Sequence, residues 1–181
     1  MLIRRAVDTD AASIAQVHVA AWRSTYTGIV AQSHIDRLSV ADFTARWLGR
    51  LRDTTDSSPT VLVALDNHGA ITGFVSGGKT RDATVPFDCE LYASYLLKSA
   101  QGKGLGRRLV EELAKRLLSQ GHTSLCVSVL TDNPACHFYE RLGAVWIRDV
   151  PHVLGGQTYQ ASWYGWHDLR RLTKPADEGA R

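Results

Sequence analysis

The stretch Cys89 to Gln120, CELYASYLLKSAQGKGLGRRLVEELAKRLLSQ, constrains this chain most. It reads as a strand, a glycine-rich turn and a long amphipathic helix in immediate succession. Cys89 to Leu97 is rich in Leu and Tyr and holds no Gly or Pro, the composition of a strand. Gln101-Gly102-Lys103-Gly104-Leu105-Gly106 is the turn. After it, Leu105, Leu109, Leu113 and Leu117 recur at helical spacing, widened by Val110 and Leu118. Glu111–Lys115 and Glu112–Arg116 stand at i, i+4 on the wet face and support the helix. Gly121 is its expected stop.

Three glycines where a helix begins have a physical consequence. The first-turn N–H groups lack helical acceptors and lie at the positive end of the helix dipole. That end attracts an anion, commonly a phosphate. Glycines allow positive φ and close approach to a ligand, and Lys103, Arg107 and Arg108 add positive charge. Residues 101–107 are therefore a candidate phosphate or pyrophosphate site. The plainer alternative is a glycine-rich turn with basic surface residues. Two nucleotide loops are excluded: neither G-x-x-x-x-G-K-[ST] nor G-x-G-x-x-G fits the frame. Q-x-x-G-x-G fits, with Gln101, Gly104 and Gly106.

In chain order, Leu2 to Ala6 is a short strand, and Asp8 or Thr9 can cap the next helix, whose apolar side is Ile14, Val17, Ala21 and Trp22. Trp22 to Ile29 is expected to leave that helix and reach a turn at Gly28. A second helical region spans Ile35 to Leu51, broken near Ser39. Asp53 to Pro59 is a polar loop. Val61 to Leu65 and Ile71 to Gly77 form a hairpin across Asp66-Asn67-His68-Gly69. Gly73, Gly77 and Gly78 indicate a bulge or a close backbone approach there. Arg81 to Phe87 is a second loop. Ser124 to Leu130 is a strand that pairs in parallel with Cys89–Leu97. Asn133 is the expected N-cap of a helix opened by Pro134 and stopped at Gly143. Val145 to Val150 and Tyr159 to Trp166 close the sheet as an antiparallel pair joined across Gly155-Gly156.

The string Glu90-Leu91-Tyr92 … Tyr95-Leu96 … Gln101 to Gly106 resembles the fourth strand and third helix of the GNAT family of N-acetyltransferases. Asn133 to Gly143 resembles the same family, as Asn-x-x-x-x-x-Tyr-Glu-x-x-Gly, and so does the Trp22…Tyr26-Thr27-Gly28 segment. One departure is Lys98, where many members have Pro, which touches only the bend leaving the strand. The resemblance covers nearly the whole chain. It implies an α/β fold: a GNAT-like mixed seven-stranded sheet flanked by about four helices in a single domain, residues 1–172, with a disordered tail at 173–181. It implies acetyl-CoA (coenzyme A) as acyl donor and the primary amine of a small molecule or peptide as acceptor, with a homodimer possible.

The resemblance distributes the site as follows. Gln101, Gly102, Lys103, Gly104, Leu105, Gly106 and Arg107 would hold the pyrophosphate. Leu96 and Leu97 would pair with the pantetheine arm, the Leu96 N–H polarising the thioester carbonyl. Tyr139 would be general acid to the departing thiolate, a phenol of pKa about 10 being matched to it. Asn133 would cap its helix and touch the cofactor, and Trp22 and Tyr26 would line the acceptor pocket. Packing alone is the plainer reading of Trp22, Tyr26 and Tyr139. Glu90 is the candidate base, because strand alternation puts it on a face with Tyr92, Ser94 and Leu96. It would stand roughly 20 Å from Leu96 along a straight strand, so a water chain or bulk solvent would have to assist it.

Composition limits the other classes. With 181 residues, 44% of them hydrophobic, a real core is available. A net charge of +3, spread along the chain, makes no nucleic-acid surface. Cys89, Cys126 and Cys136 form no C-x-x-C and read as reduced core thiols of a cytoplasmic protein. No His/Cys cluster has metal-ligand spacing. The N-terminus lacks a signal peptide's apolar segment, and no apolar run reaches the ~20 residues of a membrane span. Two other functions stay open at this stage. One is a non-catalytic CoA or acyl-CoA sensor on the same fold. The other is an interaction domain using Trp146, Trp163 and Trp166, which the closing strands and a dimer contact would otherwise absorb.

Overall fold

In the computed structural model, which describes residues 2–55 and 58–173, seven strands share one mixed sheet. They are Leu2–Arg5 (β1), Thr60–Leu65 (β2), Ile71–Lys79 (β3), Cys89–Leu96 (β4), Leu125–Leu130 (β5), Val145–Leu154 (β6) and Gln157–Trp166 (β7). Their order is β1-β2-β3-β4-β5-β7-β6, with β4 and β5 parallel and the other pairs antiparallel. The helices are Ala11–Tyr26 (α1), Gln32–Asp36 (α2), Val40–Arg52 (α3), Leu105–Ser119 (α4), Ala135–Arg141 (α5) and Arg170–Thr173 (α6). The expected seven-stranded α/β fold is the observed one.

Two apolar layers hold it. On one face, α4 and α5 bury Leu109, Leu113, Leu117 and Tyr139 against Leu62, Val75, Leu125 and Val127. On the other, α1 and α3 bury Ile14, Val17 and Trp47 against Val61, Val63 and Phe74. The expected stripe of α4 is the buried one, and truncating any of its fully enclosed leucines costs about 2–5 kcal/mol. Gly77 permits the crossing of α4 over β3. A Cβ there would stand 2.9 Å from Leu113 Cδ2 and 2.9 Å from the Glu90 carbonyl.

Several local expectations are corrected. α1 does not end at Trp22 but continues to Tyr26. Its i, i+4 aromatic pair Trp22–Tyr26 stacks at 4.3 Å, and Thr27 Oγ1 donates to the Arg23 carbonyl, 2.7 Å, before Gly28 turns the chain at φ +86°. The break near Ser39 is real: its hydroxyl accepts from the Asp42 N–H and caps α3. β6 runs on through Pro151, which an edge strand tolerates. Gly155 and Gly156 turn the β6–β7 hairpin with φ of +61° and +82°. Trp163 and Trp166 are buried in the core, so they offer no surface to a partner or a second copy, while Trp146 is exposed on β6. α6 is announced by no periodicity in the sequence and takes in Thr173, the first residue of the expected tail. The tail from residue 174 lies outside the described residues. The three cysteines are free and buried.

Candidate active site

A cleft opens where the two parallel strands part. β4 and β5 pair only from Cys89–Leu125 to Leu91–Val127. At that point β4 bulges. Leu91 pairs with Gly77 and Ala93 with Ser76, so Tyr92 has no partner on β3. Beyond the bulge β4 follows β3 to Leu96, and β5 follows β7 to Leu130. The gap between them is a cleft of about 750 Å³, walled by Ser94 to Leu96 and Val127 to Val129. The Leu97 N–H donates to the Thr72 carbonyl on the β3 side, 2.9 Å. Backbone groups alternate along a strand, so the Leu96 N–H points the other way, into the cleft. The Leu96 carbonyl accepts from Gln101 Nε2 at 3.2 Å.

The bulge also resets side-chain alternation. Cys89, Leu91 and Leu96 pack on the α4 side, whereas Ala93 and Tyr95 pack on the α1–α3 side. Glu90 therefore does not share a face with Ser94 and Leu96. Its carboxylate is buried and accepts from the Arg81 backbone N–H at 3.2 Å, from Arg81 Nε at 3.0 Å, and from a terminal guanidinium nitrogen of the same residue. Glu90 does not line the cleft. A carboxylate committed to three donors in this way is a structural ion pair rather than a free base.

At one end of the cleft lies the glycine turn. Gly102 and Gly104 adopt φ of +73° and +75°, and nothing stands within 4 Å of a Cβ at either, so conformation and not crowding selects glycine there. The first helical bond runs from the Arg108 N–H to the Gly104 carbonyl, 3.1 Å. The N–H groups of Leu105, Gly106 and Arg107 thus have no helical carbonyl to donate to. Gly106 is a packing glycine, its Cβ position 3.3 Å from Phe138 Cζ. Lys103 Nζ donates to the Ser99 carbonyl at 2.9 Å, and Arg107 Nε to Glu111 Oε1 at 2.7 Å.

From the other side, Asn133, in the turn before α5, and Tyr139 of α5 face the cleft. Asn133 Oδ1 accepts from the Ala135 N–H, 2.9 Å, the capping role expected of it. Tyr139 is buried with its ring edge-on to Phe138 and Trp166. Its hydroxyl has no hydrogen-bond partner among the described residues. Burial, and then the neighbouring Tyr26 and Cys136, push its pKa up. Burial likewise raises Tyr26 and Tyr95, each of which influences the other. The phenols of Tyr26, Tyr95 and Tyr139 therefore stand together on the wall of the cleft and stay protonated. Sequence reasoning missed Tyr95, because only the bulge turns it toward α1. There its hydroxyl accepts from Trp22 Nε1 at 3.0 Å and its ring stacks on His18 at 4.6 Å.

A second pocket of about 400 Å³ adjoins the first and shares Tyr92, Ala93 and Tyr95 with it. Trp22 lines this pocket and Tyr26 lines the cleft, so the two aromatic residues expected near an acceptor fall on either side of the junction. The Arg81–Phe87 loop packs its Val85 and Phe87 into the core beside Trp163. Among the described residues, no group of three His, Cys, Asp or Glu side chains could hold a metal ion, and no helix is long and apolar enough to cross a membrane.

Comparison with known proteins gives this geometry a context. Residues 18–144 match the model of the acetyltransferase (GNAT) family. The chain is 34% identical over 170 residues to YuaI of Bacillus subtilis, an uncharacterized N-acetyltransferase, covering 94% of this chain and 95% of that one. It is 29% identical over 154 residues to the L-amino acid N-acyltransferase MnaT of Escherichia coli, covering 84% of each. Among solved structures, yncA of Salmonella typhimurium, determined with its cofactor acetyl-CoA, superposes with a TM-score of 0.68 at 25% identity, covering 100% of this chain and 96% of that one.

Proposed function

The chain belongs to the acetyltransferase (GNAT) family, and we propose that it transfers the acetyl group of acetyl-CoA to the primary amine of a small molecule or peptide. The observation that carries this reading is the parting of β4 and β5 between a helix N-terminus on one side and an unpaired phenol on the other. The residues fit the donor. An extended pantetheine arm matches an open strand edge, which offers backbone groups to pair with. A pyrophosphate matches the free N–H groups of residues 105–107 and the basic side chains beside them.

When bound, acetyl-CoA supplies an activated acyl carbon and a thiolate leaving group. The chain's own contributions are then four. Residues 101–107 hold the anionic end and fix the register of the arm. The Leu96 N–H donates to the oxygen on which charge develops. Tyr139 holds a proton at its hydroxyl for the departing sulfur. Tyr26, Tyr95 and their apolar neighbours keep water from the reacting atoms. Glu90 has no part in the proposal. The amine loses its proton to water before attack.

The test is acetyl-CoA consumption, read as free thiol, across polyamines, amino acids, aminoglycosides and N-terminal peptides, beside thermal shift with acetyl-CoA. Turnover on one amine class is expected, together with a raised melting temperature. Absence of any shift with acetyl-CoA would remove the donor site and the reading with it.

A further inference from the structure

We propose that the second pocket binds a carboxylate of the acceptor, held by Arg46 and Arg50 of α3, so that the amine substrate is a small carboxylic acid. The inference rests on the acetyl-transfer reading and names the acceptor class of that same site.

The pocket lies on the α1–α3 side of β4, and Tyr92, Ala93 and Tyr95 border both it and the cleft. An occupant is thereby placed beside the open strand edge where the thioester would lie. A volume of about 400 Å³ suits a small molecule and not a folded partner. Its charge is unusual. Arg37, Arg46 and Arg50 line it against one carboxylate, Asp42. Among the described residues, none of the three arginines has a carboxylate within ion-pair distance, although Asp42 and Arg46 stand at i, i+4 on α3. The fourth nearby guanidinium, Arg81, is by contrast neutralised by Glu90.

Two of these arginines, both exposed on α3, lie over aromatic rings. The Arg46 guanidinium lies 5.5 Å from the Phe43 ring centre and that of Arg50 lies 5.0 Å from the Trp47 ring centre. Two guanidinium groups one helical turn apart on α3 can both donate to one carboxylate. They also repel one another. Burial first, then Arg81 and Arg46, lower the pKa of Arg50. An anion seated between Arg46 and Arg50 relieves this unpaired accumulation of positive charge. Opposite them, His18 stays neutral, its pKa lowered to about 3 by burial and then by Arg50. Its Nδ1 accepts from Trp47 Nε1 at 3.2 Å, so it adds no further positive charge.

The experiment uses the products that such acids would give. N-acetyl-L-alanine, N-acetyl-L-methionine and N-acetyl-L-phenylalanine, each beside its carboxamide, are titrated by calorimetry into the whole protein with and without CoA. At least one acid is expected to bind roughly tenfold or more tightly than its amide, the worth of a charge-assisted contact. In the Arg46→Gln/Arg50→Gln double variant that ratio falls to about one while CoA still binds. Equal binding of every acid and its amide in the unaltered protein overturns the proposal, and that result needs no variant to fold. A ratio that survives in a double variant still binding CoA also overturns it. Failure of CoA itself to bind the unaltered protein overturns the acetyl-transfer reading instead, whatever the acid-to-amide ratio measured without CoA.

Discussion

Replacing Tyr139 by Phe removes one oxygen and little else. The ring is held edge-on by Phe138 at 5.2 Å and Trp166 at 6.1 Å, contacts that phenylalanine retains. The hydroxyl has no protein partner among the described residues and opens on the cleft, where water can solvate it. The melting temperature of Tyr139→Phe should therefore stay close to that of the parent. Turnover should not. Loss of a positioned acid lowers the rate by about 10²–10⁴, or roughly 2.7–5.4 kcal/mol in the barrier. The pH dependence has a definite sign. Burial raises the phenol above its usual 10, so the proton stays on across the working range. This group therefore adds no alkaline limb below about pH 10, and the variant's profile should keep its shape at reduced height. Free-thiol release at saturating acetyl-CoA measures the rate, and calorimetry checks that acetyl-CoA affinity stays within about threefold. Turnover within threefold of the parent would refute the argument and leave Tyr139 as a packing residue.

Gly104 sits at φ +75°, so Gly104→Ala should carry only backbone strain of about 1–2 kcal/mol. Gly104→Glu adds a negative charge at the anion site, and its acetyl-CoA affinity, measured by titration, should fall well below that of the alanine variant; equal affinities would undo the pyrophosphate assignment. Glu90→Gln should lower stability by about 1–3 kcal/mol in urea denaturation, because it weakens the pairing with Arg81. Its turnover should keep the parent's pH profile, whereas loss of a base would lower it by about 10²–10⁴. His18 is held near pKa 3 in the fold against 6.5 when exposed. The unfolded chain therefore binds the extra proton first, and stability should fall from about pH 6.5 toward 3, by at most about 1.4 kcal/mol per pH unit. Chemical denaturation of parent and His18→Gln across that range should show a shallower slope in the variant.

Most of the fold is written locally in the chain. Leucines at helical spacing from Leu105 to Leu117 report one element and its buried face, and the apolar run from Leu125 to Leu130 reports a central strand, which the structure buries on both faces. The glycine turn was legible because positive φ requires a particular residue type at a particular place. What was not legible depends on pairing between distant segments. The bulge at Tyr92 is set on β3 as much as on β4, since Gly77 admits both the Glu90 carbonyl and Leu113. Nothing within β4 announces it, so plain alternation put Glu90 on the wrong face. Arg81, the partner of Glu90, reaches it only because the 81–88 connection folds back over the sheet. Arg46 and Arg50 carry no signal in the sequence for a related reason. Helical spacing offers Asp42 as a neighbour of Arg46, and only the folded arrangement leaves that ion pair unmade.

That one bulge divides β4 into two parts with different tasks. Below it, Cys89 to Leu91 pair with β3 on one side and β5 on the other, and the buried Glu90 carboxylate is held by the exposed Arg81, which secures the strand. Above it, Ala93 to Leu96 lose β5 as a partner and keep only β3, so one row of backbone groups is left open. An open row inside a domain is costly unless something pairs with it. At the surface of a large cleft, an extended ligand can take that place. The same rotation that frees the Leu96 N–H turns Tyr95 toward α1, where Trp22 and His18 fix its ring between the two pockets. The open strand edge and the placing of Tyr95 between the two pockets thus follow from a single irregularity in strand register. A substitution that restored regular pairing at Tyr92 would disturb both together, whereas changes at Gly104, Tyr139 or Arg50 should leave the strand edge as it is.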